Sequence, residues 1–220
     1  MLGVFKRTEE EIKLAYVTNK LDNTGDFRTV YTDTSLVKNR CGLNNKLNNL
    51  GKNPCDRGRP GNKVAILCDD LKAPISMLAF PANVSDQSTV EPLFNSLSVN
   101  LIRDKRKKIE VIADKGYTAT PEMIEGLNPF NAKLLASKRW VKGTERKRSP
   151  KAMRDRMKGR YKIEHLNSRF KQFKRVDKRY ERHAFPFDSF LSIAAGLILL
   201  ECGFRFMSRD REKFKVIYNI

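Results

Sequence analysis

The sequence predicts an α/β domain in which a mixed β-sheet is flanked by helices. Apolar runs of strand length at 29–37, 63–70 and 74–83 follow one another closely, which is typical of antiparallel strands. Two later apolar runs, 108–116 and 132–138, alternate with helical segments, which is typical of parallel β-α-β units. The 220 residues are 40% hydrophobic, enough for the core of one domain with a small appendage.

The first half of the chain is predicted to hold a helix, the early strands and a second helix. Residues 8–22 are predicted to be helical, because a threonine can cap this segment and three glutamates occupy its first turn. Residues 38–62 are rich in Asn, Gly and Pro, and we expect mostly loop there. Residues 71–73 make a short hairpin connection, and 85–101 form the second helix.

The second half is predicted to become helical towards its end. Residues 120–127 form a short helix in which Thr120 is the cap and Pro121 takes the first helical position. A basic loop at 139–149 separates the last strand from a long helix at 150–175. An apolar helix at 187–204 follows it.

Positive charge is the most pronounced compositional feature. The chain carries a formal net charge of +19, and residues 139–183 hold 18 Lys and Arg against 5 Asp and Glu, a net of +13. Such an excess predicts a polyanionic partner, of which nucleic acid is the first candidate. A solvated basic surface or a localisation signal is the alternative.

Other classes of protein are disfavoured by the sequence. Four cysteines without CxxC pairs or matching His spacing argue against a zinc site and a disulfide framework. The N-terminal residues turn charged too early for a signal peptide. The most apolar run, 190–204, has 15 residues and contains Glu201, whereas a membrane span needs roughly 20, so we expect a core helix and no membrane partner.

Two aspartates occupy positions where a structural role is costly. Asp33 lies within the first strand, and Asp114 ends the strand KIEVIADKG. Burying an acid in a central strand is unfavourable unless it is paired or binds a metal ion. If these strands are neighbours, we expect both carboxylates to converge at one edge of the sheet.

A third acid, Glu164, lies on an amphipathic helix. Four apolar residues gather on one face of this helix: Ile163, Leu166, Phe170 and Phe173. Four polar residues gather on the opposite side: Arg160, Glu164, Asn167 and Lys171. A surface helix held by ion pairs four residues apart explains this pattern equally well.

Together, Asp33, Asp114 and Glu164 would form an acidic pocket in a very basic protein. Repulsion among them predicts a bound divalent cation, and Mg²⁺ prefers such oxygen ligands. Two ions about 4 Å apart can activate a water and stabilise the leaving oxygen of a phosphodiester.

Candidate DNA contacts surround these acids. Arg57, Arg59 and Lys63 look like phosphate contacts, with a solvated loop as the alternative, and Arg160 and Lys171 would hold phosphates beside the acids. Tyr117 is expected either to stack near the phosphate or to pack. Trp140 either stacks on a base or anchors its loop, and Asp86 either assists the site or caps a helix.

With these residues in hand, the sequence resembles a DDE transposase of the IS4/IS5 insertion-sequence type, across roughly residues 27–206. YTDTSLVKN at 31–39 resembles the first-Asp motif, and VIADKGYTA at 111–119 is similar to the second-Asp motif. Arg160, Glu164 and Lys171 match the family's Arg-x3-Glu-x6-Lys pattern. DRGRPGNKVAILCDD at 56–70 resembles the stretch that enters the second strand. Many members carry a Tyr three residues before the Arg of that pattern, where this sequence has Met157.

The resemblance implies a ribonuclease-H-like fold and catalysis by Asp33, Asp114 and Glu164. It also implies Mg²⁺ or Mn²⁺ as cofactor, cleavage at transposon ends, joining of a 3′ hydroxyl to target DNA, and a homo-oligomer on DNA. We expect 1–28 to be a short helical remnant, 29–206 the catalytic domain and 207–220 a tail.

Two other functions fit the same residues. One is a ribonuclease-H-like nuclease without strand transfer, and the other is an inactive, transposase-derived DNA-binding protein. The expected location is the cytoplasm, at the nucleoid, for a prokaryotic chain and the nucleus for a eukaryotic or viral one.

Overall fold

The computed structural model describes residues 2–41, 49–97, 100–104, 106–117, 119–136 and 150–209. Within these ranges the seven α-helices are α1 Leu2–Thr24, α2 Val90–Asn95, α3 Pro121–Leu127, α4 Lys151–Met157, α5 Tyr161–Gln172, α6 Lys174–Asp177 and α7 Ala184–Arg209. The seven strands described are β1 Thr29–Asn39, β2 Gly51–Lys52, β3 Pro60–Cys68, β4 Pro74–Pro81, β5 Ile109–Ala113, β6 Ala132–Ala136 and β7 Lys178–Arg179.

A single mixed sheet contains all these strands, and β1 lies at its centre. β1 pairs with β3 in antiparallel fashion on one side and with β5 in parallel fashion on the other. β4 continues the antiparallel part beyond β3, and β6 continues the parallel part beyond β5. The short β2 and β7 pair with the ends of β3 and β1. The predicted fold class, a mixed sheet flanked by helices, is therefore confirmed.

The helices cover the sheet through their apolar sides. Ile163, Leu166 and Phe170 of α5 are buried, as the sequence pattern predicts, and α5 contacts β1 and β3. The last apolar residue of the predicted face, Phe173, is only partly buried, because the chain leaves helical geometry there. α7 packs against α1, α6 and β4.

Several predicted bounds were wrong. The first helix runs from Leu2 to Thr24, not 8–22. The segment predicted as loop, 38–62, contains β2 and the start of β3. The helix predicted at 85–101 shrinks to the 3₁₀ turn Gln87–Thr89 and α2, which ends where the Ser96 hydroxyl bonds Ser76 of β4 at 2.6 Å. Strand β6 and the capped helix α3, with Thr120 accepting from the Met123 amide, lie where they were predicted.

The long helix predicted at 150–175 is interrupted twice. The 3₁₀ turn Lys158–Arg160 separates α4 from α5, and Phe173, with ψ 103°, separates α5 from α6. An uninterrupted helix was predicted because no proline marks either break.

The apolar helix α7 is longer than the sequence predicted. Ala184–Arg205 is long and apolar enough to cross a membrane by length and composition alone. The core helix of a water-soluble domain passes the same test, and one side of α7 is buried in the core through Phe187, Leu191, Ala194 and Ile198.

A buried ionic cluster fastens α1 to the turn between β3 and β4. The Asp69 side chain has no exposed surface and accepts bonds from Tyr16 Oη at 2.7 Å and Lys20 Nζ at 2.6 Å. Its other oxygen accepts from the amides of Leu71 and Ala73, as aspartates in turns commonly do. Lys20 also pairs with Asp70, whose side chain is half exposed.

Replacing Asp69→Ala is expected to lower the free energy of unfolding by about 3–5 kcal/mol, because Lys20 would keep its buried charge without its buried partner. Asp70→Ala is the matched control and should cost less than about 1 kcal/mol, since it removes only the exposed partner of the same lysine. Urea unfolding followed by circular dichroism measures both. Equal losses in the two variants would contradict the role given to Asp69.

Candidate active site

The register of the sheet sets Asp33 beside Asp114. Tyr31 is the last β1 residue paired with β5, and it lies opposite Ile112. Asp33 and Asp114 each follow two residues later, so they reach the same level at the carboxyl ends of parallel strands. On its other side Asp33 pairs with Ile66 of β3. Two carboxylates distant in sequence thus meet where β1 and β5 separate.

Helix α5 brings Glu164 to the same edge. Asn167 Nδ2 donates to Asp33 Oδ2 at 2.9 Å, which fixes the polar stripe of α5 over β1. Two turns earlier, Arg160 Nη1 donates to Asp114 Oδ1 at 2.8 Å, while Nη2 lies 3.5 Å from Glu164 Oε1. The predicted stripe therefore faces the two aspartates, although Glu164 itself is 59% exposed.

Electrostatics at this edge are dominated by the burial of Asp33. Burial raises the pKa of the Asp33 carboxyl above its ordinary value, and the charges of Asp114 and Asp86 add to the rise. The hydrogen bond from the Thr34 amide and the positive charge of Arg160 oppose it and hold the pKa down. Burial and the neighbouring acids thus disfavour the charged form of Asp33, and Arg160 favours it.

A close contact between Gly159 and Tyr31 allows α5 to approach the sheet. A Cβ on Gly159 would lie 2.4 Å from the Tyr31 hydroxyl oxygen and 2.7 Å from its ring. Tyr31 is 5% exposed and faces Lys162, whose Nζ lies 5.1 Å from the ring centroid, so the ring has little room to move. This contact explains why position 159 is glycine, since a side chain there would hold the start of α5 away from Tyr31 and the sheet.

The acids offer the chemistry of a divalent-cation site but not its finished geometry. All three are hard oxygen donors at one edge, which suits Mg²⁺ or Mn²⁺. Among the residues that the structure describes, no three acidic, histidine or cysteine side chains lie close enough together to hold a metal ion. The Arg160 guanidinium contacts two of the three acids instead.

Asp86 is a fourth carboxylate at this edge, and its main predicted role was wrong. As a helix cap it would bond an amide of the following turn, but its side chain makes no such bond. Asp86 Oδ1 accepts from Thr34 Oγ1 at 2.8 Å and from Lys63 Nζ at 2.5 Å. The sequence could not identify these contacts, because they join residues at least 23 positions apart. An aspartate that caps a helix and one that belongs to a site also look alike in sequence.

The candidate DNA contacts fall into two groups. Arg57, Arg59 and Lys171 are exposed, as phosphate contacts must be. Lys63 is 8% exposed, and its ammonium is used by Asp86 and the Val84 carbonyl, so it does not extend to a ligand in this structure. Tyr117 is 3% exposed, which favours packing over stacking.

The hydroxyl of Tyr117 lies in the core near Thr34. It has no hydrogen-bond partner among the described residues, and burial, followed by the charge of Asp33, raises the pKa of Tyr117. Trp140, the other aromatic candidate, lies outside the described residues, as does the whole predicted basic loop at 139–149.

Comparison with known proteins gives one family and several relatives. The family model for the transposase DDE domain matches residues 29–194. A putative transposase for insertion sequence element IS402 from Burkholderia cepacia is 27% identical over 163 residues, which is 67% of each chain.

Two solved structures of the Mos1 mariner transposase are similar at low identity. The catalytic domain is 9% identical, with a TM-score of 0.34 over 90% of this chain and 93% of that one. The paired-end complex with the left transposon end is 10% identical, with a TM-score of 0.31 over 90% and 62%.

Gly159→Ala is expected to lower the free energy of unfolding by about 1–3 kcal/mol, because the new methyl group overlaps a buried ring. In a Tyr31→Leu background the same substitution should cost less, since the overlap is relieved, and a double-mutant cycle measures the difference. Gly196→Ala is the control. Its Cβ would meet only Ile12 Cδ1 at 3.5 Å, so the gain in helix propensity should leave stability unchanged or raised by up to about 1 kcal/mol. A cycle without coupling would contradict the contact.

Proposed function

The chain belongs to the family of transposase DDE domains, and we propose that it cleaves DNA at transposon ends and joins the 3′ hydroxyl to target DNA. The observation that carries this proposal is the meeting of Asp33, Asp114 and the α5 stripe at one sheet edge, linked by Arg160 and Asn167. The pattern of Arg160, Glu164 and Lys171 supports an IS4/IS5-type member.

In this proposal the three acids hold one or two Mg²⁺ or Mn²⁺ ions. When bound, the ions activate the attacking oxygen and stabilise the leaving oxygen of the phosphodiester. Asn167 orients the Asp33 carboxylate, and the Gly159 turn sets the height of α5 above the strands. No protein nucleophile is needed, since water and the freed 3′ hydroxyl serve in turn.

The exposed cations are proposed to hold the DNA backbone. Lys171 lies two turns beyond Glu164 on the same stripe, and Arg57 and Arg59 are exposed where the chain enters β3. Such contacts position a duplex without reading its sequence. Acting on a pair of ends implies a homo-oligomer on DNA. The chain is proposed to work at the nucleoid in the cytoplasm of a prokaryote, or in the nucleus of a eukaryotic or viral host.

Asp33→Asn, Asp114→Asn and Glu164→Gln are each expected to lower metal-dependent nicking by at least about 100-fold, since losing even a partner of a metal ligand costs 10–100-fold. The substrate is labelled DNA from the flanks of the chain's own gene, incubated with and without Mg²⁺ and resolved on denaturing gels. A joined product identifies transposition, whereas nicks alone identify a nuclease.

Asp155→Asn is the matched control for these variants. Asp155 pairs with Lys158 on the exposed side of α4, and the same change of charge there should leave nicking intact. Metal-independent nicking, or full activity in Asp114→Asn, would rule out the proposed chemistry. Salt-sensitive binding that survives in all three site variants, without any nicking by the wild type, would identify a DNA-binding protein instead.

Lys171→Ala is expected to weaken duplex binding and to reduce the slope of log affinity against log salt concentration by about 0.9, the value for one lost phosphate contact. Lys107→Ala is the control, because Lys107 is similarly exposed but precedes β5 at the end remote from Asp114 and pairs with Asp26. Fluorescence anisotropy across a salt series measures both slopes. Equal slopes for Lys171→Ala and wild type would show that Lys171 does not contact a DNA phosphate.

A further inference from the structure

Arg160 occupies the position where a divalent cation would have to bind. Its guanidinium bonds Asp114 at 2.8 Å and lies 3.5 Å from Glu164, and its charge also acts on Asp33. One side chain thus interacts with all three acids that the proposed chemistry requires. A metal ion that drew these carboxylates together would meet the guanidinium between them.

The bonding of Arg160 is incomplete in this arrangement. Its Nε atom is buried, and no described residue accepts a hydrogen bond from it. A buried donor without a partner costs free energy. The side chain is nevertheless 21% exposed, so its outer nitrogens can reach a ligand at the mouth of the site. A phosphate oxygen is the acceptor that suits a guanidinium best, because it can accept two N–H groups together.

We propose that Arg160 exchanges between two anionic partners: the Asp114–Glu164 pair when the protein is free of DNA, and a backbone phosphate when DNA is bound. In the first state the guanidinium substitutes for the divalent cation and competes with it. In the second state the carboxylates are released to close on the metal. This inference rests on the proposed function, because it takes the three acids as the metal ligands.

The exchange couples metal binding to DNA binding. If DNA removes the competitor from the acids, DNA must strengthen metal binding, and by linkage metal must strengthen DNA binding by the same factor. The free chain would therefore bind Mg²⁺ or Mn²⁺ weakly and load the site on its substrate. The effect comes from one side chain and needs no movement of the sheet.

The decisive measurement is Mn²⁺ binding to the DNA-free protein, followed by the electron paramagnetic resonance signal of free Mn²⁺. Arg160→Met, which keeps the length of the side chain and removes its charge and donors, is expected to bind Mn²⁺ about 10-fold more tightly than wild type. Lys171→Met is the matched control, since it removes a charge from the same stripe without contacting an acid, and it should change the affinity by less than about 2-fold. Circular dichroism confirms that each variant is folded.

A second measurement tests the coupling. The affinity for a fluorescent duplex of arbitrary sequence is measured by anisotropy with and without Mn²⁺. Mn²⁺ should strengthen duplex binding about 10-fold more for the wild type than for Arg160→Met. Any effect of Mn²⁺ on the DNA itself is the same for both proteins and cancels in this comparison. The same comparison with Lys171→Met should follow the wild type.

The outcomes separate the two proposals. Tighter Mn²⁺ binding in Arg160→Met, abolished by adding Asp114→Asn, supports both. Mn²⁺ binding that depends on Asp114 but is equal or weaker in Arg160→Met overturns the exchange and leaves the proposed function standing. If Arg160→Met and Lys171→Met raise the Mn²⁺ affinity equally, the effect comes from the change in net charge, and the exchange is overturned. No Mn²⁺ binding that depends on Asp114, with or without duplex, overturns both.

Discussion

A half-buried carboxylate in the central strand is the constraint on which this edge of the molecule depends. Asp33 lies between β3 and β5, where burial and two further acids disfavour its charge. Hydrogen-bond donors and a cation favour its ionised form, and α5 brings Asn167 and Arg160. That requires a close approach of α5 to the sheet, which in turn requires Gly159 against Tyr31. The glycine that permits this approach and the amide that bonds the carboxylate both act in favour of one half-buried acid.

The parts of this site that sequence could predict are those set by local patterns. Alternation identifies the strand that carries Asp33, and helical periodicity puts Glu164 and Asn167 on one stripe. The predictions that failed concerned residues whose roles depend on contacts between distant segments of the chain. Nothing near Lys63 indicates that its charge is used by Asp86, so an internal ion pair was taken for a phosphate contact and a helix cap. The turn at Gly159 was missed for the same reason, since a lone glycine is tolerated in a helix and its necessity lies in Tyr31.

Several basic side chains in the second half of the chain form ion pairs with acids of the protein itself. Arg156 pairs with Glu110, Arg169 with Glu201, and Arg175 with Glu181. The first pair joins α4 to β5, the second joins α5 to α7, and the third is local. The cations that remain for a polyanion are fewer than the number of Lys and Arg residues suggests, and Lys171 is an exposed one on the stripe that carries Glu164. Composition thus predicts the class of partner, but the ion pairs within the structure are needed to identify which basic side chains are available to that partner.

Strand β3 connects this edge to the N-terminal helix. Lys63, near the start of β3, supports Asp86 and Thr34 beside Asp33, whereas Asp69, just past its end, holds Tyr16 and Lys20 of α1. The two clusters are six residues apart, roughly 20 Å along an extended chain. β3 is paired with β1 on one side and with β4 on the other along most of that length. The boundary expected at residue 28 therefore divides the sequence but not the core, because α1 packs on α7 and is tied by Tyr16 and Lys20 to Asp69 just past β3.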